Sequence, residues 1–590
     1  MGFFAQTWTL TKKNLLIVLG RHWFSTTVRA FLAPIIFFFI ISYCKNFFVP
    51  PSDFGVGSPS TLRTFEEALG AGTAGRTTIA FVTNGQPATE VTDIIDQLSN
   101  TVRTQGKTAV TLSSEVELLQ TCRSSVRGVS GCFAAISFHG SPSNGGVWNY
   151  TIRTDGNLGE RIFVNTGNND AEIYALPIQH AVDALIASGN GTSIPLPQQY
   201  PYTDATPEER DRNITRLYMG TLISILGLAY FIGFVGICYQ LTGLMATERE
   251  IGMSQLIEAM MPNKRRWQPQ AARLLSSHLA FDILYFPGWV ISAAIVTRLN
   301  YPSSDTGILI GYFILAGLAL SSWSIAFASL FRKAQLSGIT VTIVSIVLAI
   351  IVQVQTPDST GPIVILALLF PPMNFTLFII YMAYWQRDNL AAVLSEAPPG
   401  APWRVSGTVF FVLCAIQIVV YPLVGAVIER ALYGTASKAR NMHHTADNET
   451  ARITHLQKSY PPSWLYQKLW SRFSKNKRET VHAVNDINFT IRAGEIHVLL
   501  GANGSGKSTT MDMLAGLQSP TSGTIDIDGT GGVGICPQKN VLWDVLTCSE
   551  HVYYFHQLKA QGTKGTSADH RELLSKCDLD HKISARSETL

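Results

Sequence analysis

Six apolar blocks constrain this chain more than any other feature of its sequence. Each has about the 20 residues that a helix needs to cross a hydrocarbon core of about 30 Å. The blocks are Phe31–Val49, Leu217–Leu241, Leu274–Val296, Ile308–Phe331, Leu336–Val354 and Val405–Ile428. Charged residues make up only 15% of the chain, whereas a soluble chain carries about 25%. The sequence therefore predicts a polytopic α-helical membrane protein.

Charge and cysteine content exclude two other classes of protein. The formal net charge of +4 is too small to indicate nucleic acid as a partner. Eight cysteines spread over 590 residues cannot form a disulfide scaffold.

Basic residues gather on one side of the alternating blocks, and this sets the expected orientation. They precede the first block, at Lys12 and Lys13, and follow the second, fourth and sixth, at Arg249, Arg332 and Arg430. Because Lys and Arg are in excess on the cytosolic side, both chain ends are predicted to be cytosolic. The first block is an anchor and not a cleavable signal, because basic residues precede it and no small-residue cleavage site follows it. We expect a multi-pass protein of the plasma membrane or an endomembrane.

A seventh apolar stretch, residues 361–383, has the length to cross but carries Pro371 and Pro372 at its middle. Consecutive prolines interrupt helical hydrogen bonding, and a seventh crossing would put the two chain ends on opposite sides. We therefore interpret the stretch as a re-entrant pair of short helices in the outer leaflet. A kinked seventh helix is the competing interpretation.

Residues 50–216, between the first and second crossings, are polar and are predicted to form an exocytoplasmic domain of their own. Strand-like and helical patterns alternate in it, which indicates a small α/β domain. Its two cysteines, Cys122 and Cys132, lie in a compartment that permits a disulfide. The tripeptides that begin at Asn149 and Asn190 are N-glycosylation acceptors on that side, whereas a similar tripeptide at Asn448 is on the cytosolic side.

The most informative run in the chain follows the last crossing. It fits the phosphate-binding pattern G-x-x-x-x-G-K-[ST] and consists of Gly501, Ala502, Asn503, Gly504, Ser505, Gly506, Lys507 and Ser508. Residues 495–500 before it are predicted to form a buried strand, and Thr509 to Ala515 after it to open a helix. Glycines let backbone N–H groups surround phosphate oxygens. Lys507 would supply charge to the β- and γ-phosphates and Ser508 a hydroxyl to Mg²⁺, so a nucleoside triphosphate site is predicted.

Beyond this loop, Ser519-Pro520-Thr521-Ser522-Gly523 and its flanks resemble the nucleotide-binding domain of ABC transporters. The resemblance implies ATP with Mg²⁺. Cys536-Pro537-Gln538 is similar to the Q-loop of that domain, which implies that Gln538 contacts Mg²⁺ and the attacking water. Tyr460 is similar in placement to the aromatic residue that stacks on adenine; a surface tyrosine is the alternative.

The membrane half resembles the N-terminal half of the A subfamily, which moves lipids. Residues 243–261 are similar to its cytosolic coupling segment, with a charged juxtamembrane helix end as the alternative. The implied organisation is residues 1–49 as N-terminus and first helix, 50–216 as exocytoplasmic domain, 217–430 as helices two to six, 431–450 as linker and 451–590 as a partial P-loop α/β nucleotide-binding domain. Membrane lipids are the implied substrate and a second ABC half the implied partner, with no nucleic acid.

The chain departs from the family pattern at its end. The signature motif, the Walker B acid and the switch histidine do not occur before Leu590, so we expect a truncated domain, and whether this chain hydrolyses ATP stays open. Two hypotheses follow: part of an ATP-driven lipid transporter, or a membrane-bound nucleotide binder without turnover. Coding sequence beyond Leu590 would discriminate between them.

His278 and Asp282 lie one helical turn apart inside the third block. Ionisable side chains at that depth are costly unless they face protein or water. A polar patch on the translocation path is one interpretation. The other places both side chains near the cytosolic end, where they reach the interface or pair with Arg273.

Overall fold

The computed structural model describes residues 2–47, 55–72, 75–86, 89–123, 130–144, 146–154, 164, 169–200, 202–203, 206–261, 267–434, 440–443, 449–461, 479–528, 533–559 and 567–589. The chain divides into two units, Asn46–Thr215 and the combination of Met1–Lys45 with Arg216–Leu590. Parts of the predicted linker and the Asn448 tripeptide lie outside the described residues.

The chain begins with three helices, α1 (Phe3–Leu15), α2 (Trp23–Thr27) and α3 (Ala33–Tyr43). The last two join through wider turns into one apolar helix over Trp23–Phe47. The first crossing therefore begins earlier than the predicted Phe31, because no glycine or proline interrupts the chain between Trp23 and Ala33. Arg29 interrupts the apolar residues in the sequence, so the predicted block began after it, but it does not interrupt the helix.

The unit Asn46–Thr215 is an α/β domain, as predicted. Its elements are β1 (Gly55–Val56), β2 (Ser60–Thr61), α4 (Phe65–Ala71), β3 (Thr78–Val82), α5 (Thr89–Thr104), β4 (Thr108–Leu112), α6 (Glu115–Thr121), β5 (Cys132–Gly140), β6 (Asn149–Arg153), α7 (Asp170–Tyr174), α8 (Leu176–Gly189), β7 (Gln198–Gln199) and β8 (Tyr202–Thr203). The main sheet has the order β4-β3-β5-β6. β3 is parallel to β4 and β5, and β6 is antiparallel to β5.

The core of this domain lies between the sheet and the helices. On α5 the buried residues recur at helical spacing, as Val91, Ile94, Ile95, Leu98 and Val102. They pack with β-strand residues such as Phe81 and Ile136. A disulfide joins Cys122, at the end of α6, to Cys132, at the start of β5.

The helical part of the other unit follows. Its helices are α9 (Pro207–Thr221), α10 (Gly227–Phe234), α11 (Gly236–Glu250), α12 (Met253–Met260), α13 (Gln268–Asn300), α14 (Thr306–Ala328), α15 (Ser337–Val354), α16 (Thr360–Leu369), α17 (Pro371–Arg387) and α18 (Gly407–Tyr433). In the described residues, six helices are long and apolar enough to cross a membrane, and each predicted block overlaps one of them. They are Trp23–Phe47, Pro207–Glu250, Gln268–Asn300, Thr306–Ala328, Ser337–Val354 and Gly407–Tyr433.

The stretch with the two prolines forms two helices, α16 and α17, that break at Phe370. Pro371 and Pro372 occupy the first turn of α17, where their missing N–H groups do no harm. Thr360, at the start of α16, accepts a hydrogen bond from Arg404, just before α18, whereas Ala367 near its end bonds to Gln417, ten residues into α18. α17 then returns, so that both outer ends of the hairpin lie beside the start of α18.

The C-terminal part contains β9 (Arg440–His443), β10 (Glu449–Tyr460), β11 (Val481–Arg492), α19 (Lys507–Ala515), β12 (Ser522–Asp528), α20 (Cys548–Lys559) and α21 (Ser567–Lys576). Its sheet has the order β11-β10-β12-β9. The core under the sheet includes Ile453, Leu456, Val484, Met513 and Ile525. Met513 belongs to α19, so the helix after the phosphate-binding loop packs directly against the sheet.

The predicted buried strand at residues 495–500 is wrong. These residues have no regular structure, and Ile496 and Leu500 are 94% and 84% exposed. An apolar run becomes a buried strand only when neighbouring strands pair with it and cover it. In the described part of the chain, no strand pairs with this run.

Candidate functional site

The phosphate-binding loop leads straight into α19, and two of its glycines are required by its backbone. Gly504 and Gly506 have φ of +83° and +89°, in the left-handed region that favours glycine. A Cβ at Gly506 would also lie 2.2 Å from the carbonyl oxygen of Ala483. The curve of the loop and its close packing on β11 therefore both depend on glycine.

Lys507 is the first residue of α19, and its ammonium group curls back over the loop. Its Nζ donates to the carbonyl oxygens of Gly501 at 2.6 Å and Ala502 at 2.8 Å. The first N–H groups of a helix have no partner within it and carry a partial positive charge. Loop, ammonium and helix start thus form a concentrated positive region suited to an anion.

The remaining predicted loop residues lie around this region. Asn503, Ser505 and Ser508 are exposed, and Thr509 is half-buried on the first turn of α19. The exposed hydroxyl of Ser508 is available to a ligand. Gln538 is exposed in an irregular segment, and within the described residues no hydrogen bond joins it to the loop.

Tyr460 ends β10, and its side chain contacts Gln518 and Lys458. Its hydroxyl accepts a hydrogen bond from Gln518, which follows the far end of α19, at 2.5 Å. The ammonium of Lys458 lies 5.2 Å from its ring centroid. The structure therefore brings the loop residues together but does not bring the Tyr460 ring to them.

A second feature, which sequence reasoning missed, is a junction between α1 and the C-terminal part of the chain. We refer to that part, residues 451–590, as the nucleotide domain. Lys13 of α1 forms a buried ion pair with Glu248 near the end of α11. The indole N–H of Trp543 donates to the same carboxylate at 3.1 Å, and the Lys13 ammonium lies 4.6 Å from the Trp543 ring centroid. Burial lowers the pKa of Lys13, and the Glu248 carboxylate opposes this shift.

Two further contacts strengthen this junction. Arg21 donates to both carboxylate oxygens of Glu550 at 2.6 and 2.8 Å. Glu550 also caps α20 by accepting from the Thr547 N–H at 2.9 Å. Although burial raises the pKa of Glu550, these hydrogen bonds hold it below its ordinary value.

The predicted coupling segment supplies the apolar part of the same junction. Gly252, with φ of +84°, separates α11 from α12 and redirects the chain. The buried face of α12 then packs in one cluster with α1 and the nucleotide domain. This cluster includes Leu10, Met253, Leu256, Ile257, Trp543, Leu546, Tyr554 and Leu558.

A buried charge network ties α12 to the membrane helices. Arg273 of α13 pairs with Glu258 of α12 at 3.1 Å and with Glu429 of α18. Arg249 also pairs with Glu429, at 2.5 Å. Buried ion pairs, which are costly to break, thus connect α12 to α11, α13 and α18.

His551 fixes the loop that carries Trp543. Its Nε2 accepts from the backbone N–H of Trp543 at 3.0 Å, so its Nδ1 carries the proton that faces the Thr547 carbonyl at 2.9 Å. Burial lowers the pKa of His551 below its ordinary value of 6.5. The neutral imidazole is the form that this loop requires.

We expect acidification to weaken this loop. Between the lowered pKa of His551 and its ordinary value of 6.5, the unfolded state binds more protons than the folded state, so stability falls as pH falls. Thermal unfolding of the chain at a series of pH values checks this. The loss on acidification should shrink in His551→Gln but not in His556→Gln, a control on the same helix; equal losses in all three would contradict it.

His278 and Asp282 contact each other and two serines of the neighbouring helix α14. His278 contacts Asp282 through Nδ1 and Ser322 at 2.8 Å through Nε2, and Ser321 donates to Asp282 at 2.7 Å. The predicted pairing with Arg273 is wrong, because Arg273 pairs with Glu258 and Glu429. The two side chains instead link α13 to α14 inside the helix bundle.

Comparison with known proteins gives matches over both parts of the chain. Residues 24–427 match the family described as "ABC-2 family transporter protein", and residues 484–589 match the family described as "ABC transporter".

Individual relatives match over shorter segments. ABC transporter A family member 10 of Dictyostelium discoideum is 43% identical over 103 residues, which is 16% of this chain and 12% of the relative. The human phospholipid-transporting ATPase ABCA3 is 39% identical over 118 residues, 18% of this chain and 7% of the relative. ABC transporter A family member 6 of D. discoideum is 24% identical over 368 residues, 54% of this chain and 22% of the relative. The matched part of the chain thus spans less than a quarter of each relative.

Proposed function

Since the chain belongs to the ABC-2 family of transporter proteins, we propose that it acts in an ATP-driven membrane transporter that moves lipids. One observation carries this proposal: the domain that holds the phosphate-binding loop is also the domain that packs on α1 and α12. A change at the loop therefore has a mechanical route to the membrane helices.

The residues of the loop fit a nucleoside triphosphate. The glycine backbone at 501, 504 and 506 and the N–H groups of Ala502, Asn503 and Ser505 would hold the phosphates, with Lys507 as the cation. Ser508 would hold Mg²⁺, and Thr509 would follow it on the helix. Gln538 and Tyr460 would join the site only after their segments move, Gln538 toward Mg²⁺ and the attacking water and Tyr460 toward adenine.

The chemistry in this proposal is divided between ligand and protein. When bound, ATP with Mg²⁺ supplies the phosphate bond that is cleaved. Lys507 gives up its bonds to Gly501 and Ala502 and turns to the phosphates, while the helix start stabilises negative charge. Trp543 and Glu550 pass any rotation of the domain to α1 and α12, and the population of two states of the membrane helices shifts with it.

The substrate and partner in this proposal come from the relatives. ABCA3 is named as a phospholipid-transporting ATPase, and we assign lipids to this chain on that similarity. A second ABC half, in a longer polypeptide or in another subunit, would complete the nucleotide site. The nucleotide domain would be cytosolic, and the protein would lie in the plasma membrane or an endomembrane.

A test of the proposed function is to reconstitute the chain in vesicles with a labelled phospholipid. ATP-dependent movement of the label, with phosphate release, supports the transporter. Binding of ATP without phosphate release or lipid movement would instead support the alternative, a membrane-bound nucleotide binder without turnover.

The proposed topology makes the chain a glycoprotein in eukaryotic cells. Asn149 and Asn190 are both exposed at the surface of the α/β unit, so both are expected to carry glycans. Glycosidase treatment should increase gel mobility, and Asn149→Gln with Asn190→Gln should abolish that shift. A shift that persists in this double variant and disappears in Asn448→Gln would reverse the orientation.

A further inference from the structure

Arg29 is a charge without a partner inside a membrane helix. It lies six residues into Trp23–Phe47, roughly 9 Å along the axis. Its side chain is exposed, and in the described part of the chain it makes no ion pair or hydrogen bond. A charge at this depth is costly unless it meets an opposite charge or water.

Arg29 lines two neighbouring cavities. The first, of about 670 Å³, lies at the cytosolic end of the helices, and the second, of about 280 Å³, extends along α3 and α10. Both are lined by Arg29, Tyr239 and Gln240. The walls of the second cavity are mainly apolar, with Pro34, Phe37 and Ile232 among them. The larger space thus contains charged side chains, the smaller space is an apolar slot, and Arg29 lies in the wall that they share.

The larger cavity contains a negative charge from the nucleotide domain that has no ion-pair partner in the described residues. Asp544 lines the larger cavity, is exposed, and in the described residues its carboxylate makes no ion pair or hydrogen bond. Glu248 lines the same cavity but is neutralised by Lys13. The side-chain oxygen of Gln240 is buried and has no hydrogen-bond partner, so it is an acceptor that awaits a donor.

We propose that these cavities bind one zwitterionic phospholipid of the cytosolic leaflet, whose headgroup carries a positively charged nitrogen. The phosphate lies against Arg29, the headgroup nitrogen is directed to Asp544, and an acyl chain fills the slot beside Phe37. The order of charges along such a lipid, from nitrogen to phosphate to hydrocarbon, matches the order of Asp544, Arg29 and the slot. Phosphatidylglycerol has a neutral glycerol in place of the ammonium group and leaves Asp544 without a counter-charge. This inference rests on the proposed lipid function. It adds that Asp544, a residue of the nucleotide domain, recognises the headgroup.

The test is lipid binding to the purified full chain in detergent, without nucleotide. Phosphatidylethanolamine, phosphatidylcholine and phosphatidylglycerol with identical short acyl chains are titrated in turn, and bound lipid is counted by native mass spectrometry. The two zwitterionic lipids, whose headgroups carry a positively charged nitrogen, should bind about tenfold more tightly than phosphatidylglycerol. Arg29→Gln should weaken all binding by at least about tenfold. Asp544→Asn should remove the preference between headgroups.

Two controls keep this test decisive. Arg298→Gln removes an exposed arginine at the C-terminal end of α13, away from both cavities, and should leave lipid binding unchanged. Gly243 lines the larger cavity, and a Cβ there meets nothing within 4 Å, so Gly243→Leu should fit the helix and block the lipid.

Several results would overturn the proposal: equal binding of phosphatidylglycerol, unchanged binding in Arg29→Gln or Gly243→Leu, or equally tight binding of soluble glycerophosphoethanolamine, which has no acyl chain. Because binding is measured without nucleotide, failure of ATP hydrolysis or transport would appear separately, in the vesicle experiment.

Discussion

Lys507→Ala is expected to weaken binding of ATP with Mg²⁺ by at least about tenfold. The ammonium is the one side-chain cation that the structure places on the phosphate-binding loop within the described residues, held by Gly501 and Ala502. Alanine at the start of α19 is a strong helix former, so the fold should persist. Calorimetric titration of the full chain in nanodiscs measures the affinity.

The matched control for this variant is Lys576→Ala. Lys576 is an exposed lysine on α21 whose ion pair, with Glu572, has nothing to do with the loop. The affinity of the Lys576→Ala variant for ATP should equal that of the parent chain. Equal affinities for ATP in Lys507→Ala and the parent chain would contradict the assignment of this loop as the ATP-binding site.

Glu248→Ala is expected to destabilise the junction between the nucleotide domain and the membrane helices. It leaves the buried ammonium of Lys13 without an anion and the indole N–H of Trp543 without an acceptor. Removing one partner of a buried ion pair costs about 3–5 kcal/mol. We expect a lower unfolding temperature in a thermal unfolding experiment. Hydrogen–deuterium exchange should show faster amide exchange in α1, α12 and α20.

Two variants separate the pair from general damage. Glu250→Ala changes an exposed glutamate on the same helix and should have a small effect. Replacement of both partners, Lys13→Met with Glu248→Leu, should recover most of the lost stability, because an apolar pair needs no counter-charge. If Glu248→Ala had no larger effect than Glu250→Ala, the junction would not depend on this pair.

The sequence was sufficient to predict features that depend on local pattern. Apolar length predicted the six long helices, and consecutive prolines predicted the break at Phe370. The spacing of glycines and Lys507 predicted the loop and the helix that follows it. Each of these follows from residues that are near one another in the chain.

The features that were missed depend on residues far apart. Lys13 and Glu248 are separated by 235 residues, and Glu248 and Trp543 by 295. In the sequence Lys13 indicated only which side of the membrane it occupies. The error at residues 495–500 has the same origin, because a buried strand is defined by its neighbours and not by its own composition.

The helix α17 has a consequence for how a substrate can travel. Every residue from Pro371 to Gln386 is buried, and rings such as Phe375 and Phe378 stack on Phe234 and Tyr312 with centroids 4.8 and 3.5 Å apart. α17 thus lies in the interior of the helix bundle among aromatic side chains, which pack there as in an ordinary protein interior. In the proposed transporter, a substrate would therefore move along the outer surface of this helix bundle and not through its centre.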